Sequence, residues 1–78
     1  MISPGELGSL VRLTRKAAGF LQVDAAGMSK VGVRFFSELE RGKPTLELGK
    51  VFGVLSRLGL EVWILPRGRT PFGEDDDR

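Results

Sequence analysis

Apolar and polar positions alternate with helical spacing through most of the chain, and glycines punctuate the pattern. Leu7, Leu10, Val11, Thr14 and Ala17 or Ala18 recur at three and four residues after the start signal Ser3-Pro4-Gly5-Glu6. Ser3 suits a cap, Pro4 the first helical position, and Glu6 the far side of a capping box. The pattern predicts a first helix over about residues 4–18, stopped by Gly19. Arg12, Arg15 and Lys16 fall mostly on other faces and read as solvated. A second, shorter helix follows from about Gln22 to Ser29, with Ala25, Ala26 and Met28 inward. A turn at Ser29-Lys30-Val31 leads to a third helix over about Val33 to Glu40. Val31, Phe36 and Leu39 are spaced to enter a core, while Gly32, Val33, Arg34 and Ser37 point away from it.

Thr45 is expected to cap a further helix, whose stripe is Leu48, Val51, Phe52, Leu55 and Leu58 and whose stop is Gly59. Gly49 and Gly53 lie four apart inside it. They mark either close approach of another backbone or tolerated drift. Leu60 to Leu65 then reads as a strand, rich in β-branched and aromatic residues and closed by Pro66. A lone strand leaves its backbone groups unpaired, so the expected partner is the same strand of a second copy. Leu60, Val62 and Ile64 would lie on one face of that ribbon, with Trp63 and Leu65 on the other. Residues 66–78 show no periodicity and read as a flexible acidic tail, leaving residues 1–65 as one domain.

Composition narrows the chemistry. With 78 residues the chain holds one small core. It has no cysteine, which excludes disulfides, and no histidine, which leaves no ordinary zinc ligand set. Tyrosine is absent as well, so the usual nucleophile–base pairs cannot be assembled. Neither an enzyme nor a resident cofactor is expected. A long apolar run and a signal-peptide pattern are lacking, which points to a cytoplasmic protein, nucleoid-associated if it binds DNA, with no membrane partner.

The net charge of +2 conceals an asymmetry. Residues 74–78 carry four acids and one base, so residues 1–73 keep eleven bases against six acids. A basic body suits a polyanion, and the small and basic outward residues at the start of the third helix suit a DNA major groove. Arg34 is the candidate base reader, because a guanidinium can bond guanine O6 and N7 together. Val33 is placed to meet a thymine methyl, Ser37 to reach phosphate, and Lys43 to do so from the following loop. Glu38 and Glu40 would repel phosphate and are expected to turn away. Glu40 is expected to pair with a neighbouring arginine, with Arg41 as a candidate. Phe35 reads as core rather than DNA surface.

The run Ser37-Glu38-Leu39-Glu40-Arg41-Gly42-Lys43-Pro44, taken with its spacing from Gln22, resembles the phage-repressor-like (XRE) helix-turn-helix domain. The longer ending SELERGKPTLELGKV looks most like HipB-type antitoxins, and the resemblance covers roughly residues 5–65. It implies an all-α helix-turn-helix domain with a C-terminal β-strand paired between the subunits of a dimer. It also implies double-stranded operator DNA as a partner and a HipA-type serine/threonine kinase toxin as a second one. Gln22, by its place in the family pattern, would bond a phosphate, and Lys30 and Gly32 would lie at the DNA-facing turn. The chain departs from the family at three places. Leu21 replaces the capping Ser or Thr, Lys30 stands where Gly usually supplies positive φ, and Gly32 takes the cap that Ser often holds. In the tail, Phe72 could anchor the toxin, with Glu74, Asp75, Asp76 and Asp77 meeting its basic residues. Two alternatives stand beside this reading: a stand-alone repressor, and a protein-binding module that has lost DNA binding.

Overall fold

A computed structural model describes residues 3–64 and Pro66. Within them the chain forms four helices, α1 (Pro4–Ala17), α2 (Gln22–Met28), α3 (Val33–Glu40) and α4 (Leu48–Arg57). The start of α1 follows from its first residues. The Glu6 backbone N–H donates to Ser3 Oγ at 3.1 Å, and the Ser3 N–H donates back to Glu6 Oε1 at 2.8 Å. That reciprocal box satisfies donors a helix start otherwise leaves open. The Ser3 backbone bond holds the Glu6 carboxyl below its ordinary range, and the Ser3 hydroxyl adds to the effect. At α2 only half of such a box forms, since Leu21 has no acceptor. Its backbone N–H donates to Asp24 Oδ2 at 3.3 Å.

All four helices end in the same way. The residue after the cap takes positive φ and bonds back to a carbonyl within the last turn, and the next residue bonds one position deeper. Gly19, Gly42 and Gly59 occupy this position in α1, α3 and α4, with φ of 81°, 84° and 79°. In α2 the residue is Lys30, at φ 59°. Its N–H reaches the Gly27 carbonyl at 3.2 Å, and the Val31 N–H reaches that of Ala26 at 3.0 Å. The missing glycine therefore leaves the turn intact, and Lys30 bears the backbone strain.

The core gathers Val11 from α1, Ala25 and Ala26 from α2, Phe36 and Leu39 from α3, and Val51, Val54 and Leu55 from α4. Val31 and Phe35 pack on it as half-buried neighbours. Glycine has a packing role where α1 crosses α3. A Cβ on Gly8 would collide with the Leu39 and Glu40 carbonyl oxygens. On Gly42 it would stand 2.7 Å from Gly5 Cα. Both crossings need backbone against backbone.

Several expectations are corrected. Thr45 does not cap α4, because the helix begins three residues later with Glu47 as its N-terminal neighbour and no side-chain cap bond. Leu48 and Phe52, expected in the apolar stripe, are exposed, and Val54 takes the inward place instead. Leu10 is likewise partly exposed. Among the described residues, Gly49 and Gly53 meet no other backbone. Residues 61–64 take no regular secondary structure in the single chain; the strand expected there is one that pairs with a second copy. Leu65, Phe72 and Glu74 to Asp77 lie outside the described residues.

Candidate nucleic-acid interface

Residues 29–32 join α2 to α3, and among the described residues one buried ion pair holds the unit from behind. Arg15, on α1, is 6% exposed and Glu40, at the end of α3, is 8% exposed. Arg15 Nε donates to Glu40 Oε2 at 2.6 Å and Nη2 donates to Oε1 at 3.1 Å. Its third nitrogen, Nη1, donates to the Phe20 carbonyl at 2.8 Å. The Glu40 hydrogen bond raises the Arg15 pKa above its ordinary value, against the opposing effect of burial. This overturns two readings. Arg15 is not solvated, and the partner of Glu40 is Arg15 rather than Arg41. A charge can be buried here because each of its directions finds a partner.

Gln22 joins this network. Its Nε2 donates to Glu40 Oε1 at 2.8 Å, so the side chain is half-buried and anchored at the start of α2. The far end of the domain has a second tie. Arg57, in the last turn of α4, donates from Nε to the Met28 carbonyl at 3.0 Å and so grips the end of α2.

The outward face of α3 begins at Gly32, which caps without a side chain. Val33 is 45% exposed and the Arg34 side chain is 91% exposed. Ser37 is half-buried, Lys30 is exposed at the turn, and Lys43 follows the helix with its side chain 46% exposed. Glu38 lies among them, against expectation. Its carboxylate, only 17% exposed, receives Arg34 Nε at 3.4 Å and has Lys43 Nζ at 3.5 Å, both on Oε2. The Lys43 N–H also donates to the Glu38 carbonyl at 3.0 Å. The structure thus brings Arg34 and Lys43 to one carboxylate, and it ties Gln22 to a separate, buried one. Spacing already contained part of this: Arg34 and Glu38 are four apart on one helix face. Phe35 packs on the core and carries Lys50 Nζ 5.8 Å from its ring centroid.

A second surface lies away from α3. Leu10 of α1, Leu48 and Phe52 of α4, and Leu60, Val62 and Trp63 line an apolar groove of about 330 Å³. Among the described residues no helix is long and apolar enough to cross a membrane.

No protein-family model matches the chain. It is similar to an HTH-type transcriptional regulator, y4mF, of Sinorhizobium fredii, with 46% identity over 66 residues, 85% of this chain and 87% of that protein. Among solved structures it superposes on the HipB–O1–O2 complex with a TM-score of 0.75 at 23% identity, covering 85% of this chain and 96% of that one. The HipA–HipB–O2–O3 complex gives a TM-score of 0.76 at 22% identity, over 86% and 94% of the two chains. At that identity the likeness establishes a shared helix-turn-helix fold.

Proposed function

This chain belongs to the HTH-type transcriptional regulators, which are not enzymes, and we propose that it is a dimeric, sequence-specific DNA-binding repressor that also serves as the antitoxin of a HipA-type kinase. The observation that carries the DNA reading is Arg34, almost wholly exposed on the first turn of a helix that follows a well-formed turn. In this reading α3 enters the major groove. Arg34 reads guanine, Val33 contacts a thymine methyl, and Gln22, Lys30, Gly32, Ser37 and Lys43 lie along the phosphates. The positive φ of Lys30 supports it over the protein-binding module, because the turn keeps its shape without the usual glycine.

Two copies joined through residues 60–65 would present two such helices to half-sites roughly 34 Å apart. The exposed Val62, Trp63 and Ile64 support that joint. Residues 1–65 are then the DNA-binding and dimerisation domain, with residues 66–78 as a tail. Val62→Pro should turn the dimer into a monomer in sedimentation, because it removes a ladder donor and a packing side chain. A dimer that persists would place the joint elsewhere.

The antitoxin part rests on the SELERGKPTLELGK run and on the fold shared with the HipA–HipB complex. Its test is capture of a neighbouring kinase-like gene product by the full-length chain and by residues 1–65. Capture lost on truncation assigns the contact to the tail with Phe72 and Glu74 to Asp77; capture by both assigns it to the helices. Capture by neither makes the protein a stand-alone repressor.

A further inference from the structure

We propose that Glu38 is a positioning residue that sets the base preference of Arg34; this rests on the reading of α3 as the recognition helix. An arginine presents five N–H donors in a planar fork, and a guanine edge uses two of them in parallel. Arg34 is 91% exposed, so nothing in the core fixes its guanidinium. The group that meets it is Glu38. The Nε–H faces Glu38 Oε2 at 3.4 Å, on the side of the fork nearest the helix. That leaves the two terminal nitrogens, a pair that can match guanine O6 and N7, on a side chain that is 91% exposed.

Glu38 can act this way because it is itself held. Its side chain is 17% exposed, against 91% for its partner. Lys43 closes on it twice, by the backbone N–H at 3.0 Å from the Glu38 carbonyl and by Nζ at 3.5 Å from the same Oε2. One carboxylate therefore meets two of the cations on this face, Arg34 and Lys43. Less rotamer freedom is lost when Arg34 docks on its base, since part of it is already gone. The same negative charge opposes a binding mode made of phosphate contacts alone, so Glu38 favours sequence-reading contacts and penalises the rest.

The test uses the full-length protein and two duplexes: one enriched by the wild type from a random library, and a scrambled one of equal composition. Fluorescence anisotropy gives the affinity ratio between them. Glu38→Gln keeps the size but removes the charge. It should lower the ratio by about tenfold, with scrambled-duplex affinity rising. Glu38→Asp keeps the charge but shortens the reach; it should lower the ratio without that rise. On an Arg34→Ala background, Glu38→Gln should leave the ratio unchanged. Thermal melts identify folded variants. In the wild type, Arg34 Nε–H should exchange with solvent more slowly than that of the exposed Arg12, a readout independent of any variant. A Glu38→Gln that tightens both duplexes equally overturns the proposal, as does a loss of ratio that persists without Arg34 or an Nε–H that exchanges as fast as that of Arg12. If the wild type enriches no duplex, the DNA-binding reading falls and this one with it. If it enriches one and the variants keep its preference, only the role of Glu38 falls.

Discussion

Two arginine–glutamate pairs share α3, and they differ in almost every respect but chemistry. Arg15–Glu40 is buried, bidentate and braced by Gln22 and the Phe20 carbonyl. Arg34–Glu38 is single, longer and open to water on the arginine side. Glu38 and Glu40 are only two residues apart, so their side chains leave the helix about 200° apart and enter different media. Behind the helix the low dielectric makes a missing partner costly, and the pair becomes architecture. In front of it, water and salt weaken the attraction, so the pair adds little to stability and leaves the arginine's terminal nitrogens open to a base.

The largest way to break this comparison is to leave a buried charge alone. Arg15→Ala should destabilise the fold by about 3–5 kcal/mol, read in urea unfolding. Replacing both Arg15 and Glu40 by apolar residues of similar volume should recover much of that loss, since no charge is then stranded. An Arg15→Ala protein with unchanged unfolding would show that the pair does not hold α1 to α3.

On the exposed side the expected loss moves from stability to binding. Arg34→Ala should cost about 1–3 kcal/mol in operator affinity and relax the preference for one base position. Its unfolding free energy should stay within about 0.5 kcal/mol of the wild type. Lys43→Ala should weaken all sequences alike and reduce the salt slope of binding. Operator preference intact after Arg34→Ala would remove α3 from the major groove.

Lys30 sits between the two regions, at the turn. Lys30→Gly should stabilise the protein by up to about 1 kcal/mol, because glycine accepts φ 59° without a Cβ penalty. Measured destabilisation would mean that the Lys30 side chain contributes more than its backbone costs.

The smallest effect concerns a third carboxylate, Glu6, exposed yet held below its ordinary range by the Ser3 N–H. A group whose folded pKa is lowered stabilises fully above its unfolded value and loses that contribution as pH falls through the folded one. The difference in thermal midpoint between wild type and Glu6→Gln should therefore shrink on moving from neutral pH to well below the ordinary glutamate range. A difference constant with pH would mean that charge plays no part in the cap.

The residues reveal local matters because those are decided locally. The Ser3–Glu6 box, the stops at Gly19 and Gly59 and the limits of α3 all depend on neighbours within a turn, and each is legible in order along the chain. So is the outward start of α3, since periodicity alone separates Arg34 from Phe36. What only tertiary structure decided is which charges are buried and which glycines are crowded. Arg15 and Glu40 stand 25 positions apart, and no period in the sequence joins them. Gly8 looks like a weak point in a helix until the α3 carbonyls are seen lying against it, whereas Gly49 and Gly53 look like a contact and meet no other backbone among the described residues. Lys30 shows the same limit within a turn: the Schellman bonds around it, closed by the packing of Val31, hold a positive φ that lysine alone disfavours.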